Sequence, residues 1–112
     1  LSKLKLIIDS SQGLKCRVEL EDGDKQIWSE EDRSHFGSQV MLSLIQNGLE
    51  KNNLSFSDLK EIEVKTSGPS FTGVRVGVAI ANALAWSLKI PVNGLPVGKL
   101  AKANLDQILI KK

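Results

Sequence analysis

Residues that hold metals or form disulfides are nearly missing from this sequence, which has one cysteine, Cys16, and one histidine, His35. A single cysteine excludes an internal disulfide, and the N-terminus carries no continuous apolar run of the secretory type, so the expected location is the cytoplasm. His35 has no second His or Cys at ligand spacing on its helix, which leaves a metal site without partners. It reads as a surface or cap-region residue. Cys16 lies on the inward side of a strand pattern with no base beside it in sequence, and reads as a small core residue. No apolar stretch reaches the ~20 residues that cross a bilayer. The nearest, Val76 to Leu88, has 13 residues, is interrupted by Asn82 and is rich in Ala and Gly. It is expected as a buried helix, with no membrane partner.

A strong charge bias is missing too. Fifteen basic and thirteen acidic residues give +2, spread thinly except at a basic end with Lys99, Lys102, Lys111 and Lys112. That is a solvated terminal segment rather than a nucleic-acid footprint. What is present is enough apolar residue for one core: 112 residues, 41% hydrophobic and 25% charged, form a single globular domain that buries roughly two-thirds of its unfolded surface. No repeat, low-complexity segment or linker divides it.

The chain opens with Lys3 to Asp9, a strand whose last residues are apolar on both faces and which is therefore expected to be central. From Leu14 the alternation is clean, with Leu14, Cys16, Val18 and Leu20 on one side and Lys15, Arg17, Glu19 and Glu21 on the other. Glu21-Asp22-Gly23-Asp24 supplies an Asp-Gly hairpin turn that sets Val18 opposite Ile27 and Arg17 opposite Trp28. A third strand follows at Lys25 to Ser29. Ser34 then caps a helix on which Phe36, Val40, Met41, Leu44, Ile45 and Leu49 recur at helical spacing, before Gly48 and Asn52-Asn53 weaken its end. Leu42 lies off that stripe. A short strand at Glu61 to Thr66 leads through Gly68 and Pro69 to a second helix starting near Thr72, capped by Ser70 or Thr72. Ile90 to Asn93 makes a further short strand, and Pro96 to about Asn104 a third helix.

The second helix organises the rest. At 100° per residue only the arc holding Arg75 and Asn82, with Ala79 and Trp86 beside them, is even partly polar. Val76, Ile80 and Ala83 lie on one flank of that arc, and Val74, Val78, Ala81 and Ala85 on the other. One flank must face the sheet and the other a neighbouring helix or a partner chain; the sequence does not distinguish them.

A three-stranded meander is antiparallel, whereas strands separated by helices run parallel. The expected fold is therefore α/β, ribonuclease H-like as in an actin-like ATPase lobe: a mixed sheet of five strands, three antiparallel then parallel, with helices on its faces. A nuclease of this fold needs several carboxylates around two metal ions. Asp9 stands at the right strand end, but the fourth strand ends in Lys65-Thr66-Ser67 and the first helix offers only Glu50 near its far end. A phosphotransferase would use the turn Gly68 to Gly73, since helix-start N–H groups favour anions. That turn has no Walker lysine, and Gly73 and Gly77, one turn apart in the apolar arc, serve close packing instead.

Ser70-Phe71-Thr72-Gly73-Val74-Arg75-Val76-Gly77-Val78-Ala79, followed by Ala83-Leu84-Ala85 and Ile90-Pro91-Val92, resembles the signature of the TsaB family, partner subunits in bacterial tRNA threonylcarbamoyladenosine (t6A) synthesis. Asp9-Ser10-Ser11, Ser34-His35 and Leu54-Ser55-Phe56-Ser57-Asp58-Leu59 resemble further family segments. The family's usual Gly-Pro-Gly before the serine is here Ser67-Gly68-Pro69, which rearranges the turn. The resemblance covers the family's first lobe and not its usual second. It implies a non-catalytic scaffold without a cofactor that pairs through its helices with a TsaD-like catalytic subunit, or with itself when that subunit is absent, and meets tRNA only through the complex. On this chain the contact would involve Phe36, Gln39, Val40, Leu42, Ser43 and Gln46 of the first helix and Gly73, Arg75, Val76, Gly77, Ile80 and Ala83 of the second, burying more than ~1,000 Å². The alternative is half of a nucleotide-binding, kinase-like ATPase completed by another chain, with Asp9, Ser10, Ser11, Gly68 and Ser70 at the nucleotide.

Overall fold

The alternation that runs through Leu4, Leu6 and Ile8 puts every second residue of the first strand, β1 (Leu4–Asp9), fully inside the core. A computed structural model describes residues 3–13, 15–33 and 37–95. In chain order β1 is followed by β2 (Cys16–Asp22), β3 (Lys25–Asp32), α1 (Ser38–Lys51), a 3-10 turn at Phe56–Asp58, β4 (Glu61–Val64) and α2 (Phe71–Leu88). The sheet order is β3-β2-β1-β4, with β1 antiparallel to β2, β2 antiparallel to β3, and β1 parallel to β4. β1 is thus central, and the sheet is mixed as its connections require.

Both helices lie on one face. α1 rests on β2 and β3, α2 on β4 and β1, and the two touch each other. Beneath them Leu4, Leu6, Ile8, Cys16, Val18, Leu20, Ile62 and Val64 meet Met41, Leu44, Ile45 and Leu49 from α1 and Val74, Val78, Ala81 and Ala85 from α2. The expectation of helices on both faces is therefore not met among the described residues. The opposite face carries Lys5, which lies 3.6 Å from Glu21 and 3.5 Å from Glu63, and Arg17, 2.9 Å from Glu19. Desolvation pulls the Lys5 ammonium down, but Glu63 and Glu21 outweigh it and raise the group above the ordinary lysine range.

Three expectations need correction. The hairpin turns on Gly23 and Asp24, with Asp22 opposite Lys25 and Glu21 opposite Gln26. Gly23 takes φ 65° as the first central residue, the position glycine holds in type II′ loops. A bulge then leaves Ile27 without a partner, so Trp28 faces Leu20, Arg17 faces Glu31 and Val18 faces Glu30. The shift turns the Trp28 ring inward onto Gly48 of α1, where any Cβ would overlap the ring. Secondly, α1 begins at Ser38 with Gly37 as its N-cap residue; Ser34, His35 and Phe36 lie outside the described residues.

The third correction concerns the sheet's far edge. The sheet has four strands, and the fifth is reduced to Val92, which bridges Ile62 in parallel before the chain turns back to pair Val92 with Leu95. The next residue, Asn93, supplies with its side chain, two residues further along β4 at Val64, what a strand would supply with its backbone. Its Oδ1 accepts from the Val64 N–H at 2.8 Å and its Nδ2 donates to the Val64 carbonyl at 3.1 Å. Asn93 sits at φ 51°, a conformation asparagine tolerates better than most residues. The third helix expected at Pro96 to Asn104 and the basic end lie outside the described residues.

Candidate functional site

Two surfaces gather the residues singled out by the sequence. The first is where β1 ends and α2 begins. Asp9, Ser10, Ser11, Gly68 and Ser70 do converge there, but their polar atoms are turned on one another. The Asp9 carboxylate accepts from the Ser11 N–H at 2.9 Å and from the Ser11 hydroxyl at 2.6 Å. Ser10, fully buried, donates its hydroxyl to the Gly73 carbonyl at 2.7 Å. The Ser70 N–H donates to the Ser11 carbonyl at 2.9 Å, and the Ser70 hydroxyl accepts from the Gly73 N–H at 3.1 Å, which makes Ser70 the N-cap of α2. Gly68, at φ 152°, lies so close to Ser11 that a Cβ would overlap that side chain. The neighbouring groove, about 260 Å³, is lined by Asp9, Glu19 and Glu63 against Arg17 and Lys65, a balance that gives a polyphosphate no surplus of positive charge.

The same packing fixes the two helix glycines. Gly73 and Gly77 are both buried, and a Cβ on Gly77 would overlap the Ser10 hydroxyl and meet Val64 at 3.5 Å. The missing side chain of Gly77 brings α2 down onto the end of β1 within the chain. Both glycines are covered on the inside and present nothing to a partner.

The second surface is the outer side of the helices. On α2 the flank of Val74, Val78, Ala81 and Ala85 faces the sheet and is buried; Arg75 and Ala83 are exposed, Val76 is half-buried, and Ile80 is only 7% exposed. The Arg75 guanidinium lies 5.6 Å from the centroid of the Phe71 ring. On α1 Gln39, Leu42, Ser43 and Gln46 are exposed and Val40 is half-buried; Phe36 is not described. Gln39, Val40 and Ser43 also line a groove of about 530 Å³ between α1 and the Glu30 and Asp32 end of β3. Sequence reasoning passed over Ala79 and Trp86, although it put both beside the polar arc. Trp86 is 69% exposed and, with Leu42 at 40%, is one of two large apolar residues in the open among the described residues. A tryptophan in an otherwise small-residue arc was the available signal.

α2 is 18 residues long with a mean hydropathy of 1.3, long and apolar enough by composition to cross a membrane. Seven of its residues are nevertheless inside the core, the ordinary state of a central helix. Among the described residues no group of three His, Cys, Asp or Glu gathers that could hold a metal ion.

The family model for TsaD, described as tRNA N6-adenosine threonylcarbamoyltransferase, matches residues 30–100. The tRNA threonylcarbamoyladenosine biosynthesis protein TsaB of Bacillus subtilis (strain 168) is 45% identical over 47 residues, 42% of this chain and 20% of that protein. A tRNA N6-adenosine threonylcarbamoyltransferase of Clostridioides difficile (strain 630) is 42% identical over 53 residues, 46% of this chain and 15% of that protein. Among solved structures, YeaZ from Pseudomonas aeruginosa superposes with a TM-score of 0.72 at 24% identity, covering 80% of this chain and 41% of that one. That likeness establishes the shared fold. The chain thus spans less than half of each of these relatives. Because the family model covers well over half of its length, the chain belongs to the family which that model describes, TsaD: tRNA N6-adenosine threonylcarbamoyltransferase, and it resembles TsaB.

Proposed function

We propose that this chain is a non-catalytic partner subunit in t6A modification of tRNA, working in the cytoplasm and pairing through α1 and α2 with a TsaD-like catalytic subunit. The observation that carries the proposal is the division of α2. One flank packs into the chain's own core, while Arg75, Ala79, Ala83 and Trp86 stay exposed on the other side with little charge among them. A helix that remains apolar where it meets solvent is suited to a second protein. Gln39, Leu42, Ser43 and Gln46 of α1 complete the contact, and tRNA is met only through the assembled complex.

The alternative, half of a nucleotide-binding ATPase, draws on the convergence of Asp9, Ser10, Ser11, Gly68 and Ser70 at the strand ends. Against it, their hydroxyls and the Asp9 carboxylate already have partners inside the chain. Copurification tests the first reading: a TsaD-like subunit should come down with the tagged chain, and its absence at native expression would defeat the proposal. Micromolar binding of ATP with Mg²⁺ by the isolated chain would favour the alternative.

A further inference from the structure

Two Asn-Gly pairs occur in the sequence, Asn47-Gly48 and Asn93-Gly94. In such a pair the backbone nitrogen of the glycine can attack the asparagine carboxamide with no side chain in its way. Asn47-Gly48 lies inside α1, where the helix ladder commits each N–H to a carbonyl one turn back. Asn93-Gly94 is held differently. The Val92 N–H donates to the Leu95 carbonyl at 3.3 Å and the Leu95 N–H to the Val92 carbonyl at 2.9 Å, with Asn93 and Gly94 turning between them at φ 51° and 76°. Two left-handed residues of this kind make a type I′ turn. The Gly94 N–H takes no part in either bond, and both turn residues are exposed to water. The Asn93 carboxamide is clamped on Val64, Oδ1 accepting from its N–H at 2.8 Å and Nδ2 donating to its carbonyl at 3.1 Å.

We propose that Asn93 is a site of spontaneous deamidation gated by this clamp, and that the reaction releases the outer edge of β4. While closed, the clamp keeps the carboxamide turned to Val64. Once it opens, the Gly94 nitrogen gives up its proton and bonds to Cγ of Asn93; the Cγ–Nδ2 bond breaks and ammonia leaves with that proton, closing a succinimide. Water then opens the ring at one carbonyl or the other and leaves aspartate or isoaspartate. Neither product closes the clamp again. At neutral pH an aspartate only accepts, so an oxygen stands where Nδ2 donated, against the Val64 carbonyl. In isoaspartate the main chain runs through the side chain, which lengthens the turn by one carbon. The Val64 N–H and carbonyl are then left without partners at the sheet's edge, beside the bond from the Asn93 N–H to the Ile62 carbonyl at 2.9 Å and the Val92 bridge to Ile62. Loss of ammonia makes the change one-way, and its rate is set by how often the edge opens. The proposal does not depend on the function proposed above.

The test is peptide mapping by mass spectrometry of the full chain kept at mildly alkaline pH. Trypsin releases Asn93 in the peptide Ile90 to Lys99 and Asn47 in the peptide Ser34 to Lys51. Conversion is expected at Asn93 ahead of Asn47, and at least about tenfold more slowly than in the synthetic peptide Ile90 to Lys99, which has no Val64 to bind. Urea below the unfolding transition should speed it towards the peptide's rate. Asn93→Asp reproduces one product and should speed hydrogen exchange at the Val64 amide by at least about tenfold at neutral pH. At a pH low enough to protonate the new carboxyl, its O–H can donate to the Val64 carbonyl and the protection should return. No conversion at Asn93, conversion there at the free peptide's rate, conversion at Asn47 first, or a Val64 amide as protected in Asn93→Asp as in the wild type would overturn the proposal. The mapping outcomes are read on the unaltered chain, so they stand whatever the substitution does to folding.

Discussion

Replacing Gly77 with alanine should destabilise the chain, although in most helices the same change is favourable. Alanine improves intrinsic helix propensity over glycine by about 1 kcal/mol. Here the new methyl would overlap the hydroxyl of Ser10. That hydroxyl is held in place, because Ser10 is fully buried and bonded to the Gly73 carbonyl at 2.7 Å. Either α2 shifts away from β1, an overpacking of about 1–3 kcal/mol, or the hydroxyl swings off and a buried hydrogen bond is lost, about 1–3 kcal/mol again. With some of both, and after the propensity gain, the net loss is about 1–3 kcal/mol. Thermal unfolding followed by circular dichroism should show Tm lowered by roughly 5–20 °C for a domain of this size. Ser10→Ala provides the control. The methyl at position 77 would then meet the Cβ of residue 10 and the side chain of Val64, each at 3.5 Å, ordinary contacts. The double variant should therefore be more stable than the sum of the two single effects by more than about 1 kcal/mol. A Gly77→Ala chain that melts at or above wild type, or effects that simply add, would show that Ser10 does not set the height of α2 over the sheet.

The two flanks of α2 separate folding from association. Ala85→Glu puts a carboxylate at a position with no exposure, several kcal/mol against a domain of ordinary stability, and should unfold the chain; Ala83→Glu, at an exposed position, should keep Tm but abolish partner binding in a pull-down. Asn93→Ala leaves the N–H and carbonyl of Val64 without their partners, which should lower stability by about 1–3 kcal/mol and speed hydrogen exchange at the Val64 amide. Burial, with Asp32 and Asp9 adding to it, pushes the Cys16 thiol up to about 11 from 9.0. The unfolded chain releases that proton first, so stability should fall as pH rises from about 9 towards 11, a slope that Cys16→Ala removes. No ATP hydrolysis by the chain alone is expected, since the turn between β4 and α2 has no Walker lysine; turnover that disappears in Asp9→Ala would refute this.

Periodicity carried the parts of the fold that depend on near neighbours. The inward set Cys16, Val18 and Leu20, the centrality of β1 and the Ser70 cap are all visible as patterns within a few residues. The hairpin register was not, because Asp22, Gly23 and Asp24 suit two turns one residue apart, and the bulge at Ile27 is decided by how Trp28 packs on Gly48 of a later helix. The missing strand failed for another reason. Asn93 reads as a turn residue, and nothing local reveals that its carboxamide replaces a backbone pairing with Val64, 29 positions earlier. The candidate sites divide in the same way. Asp9, Ser10, Ser11, Gly68 and Ser70 lie together at the strand ends, and only the structure shows that the hydroxyls of the three serines and one oxygen of Asp9 bond within the chain.

The hardest distinction lay within one helix and one residue type. Ala79 and Ala83 are exposed while Ala81 and Ala85 are buried, and neither hydropathy nor helix propensity separates one alanine from another. What separates them is Ser10, 63 positions before Gly73, whose hydroxyl receives the helix where its glycines leave room. That contact fixes the rotation of α2 about its axis, and with it the residues that turn outward. An apolar helix therefore did not have to be covered on all sides by its own domain: Gly77 selects the covered side, and the alanines opposite it, bounded by Arg75 and Trp86, are left facing solvent.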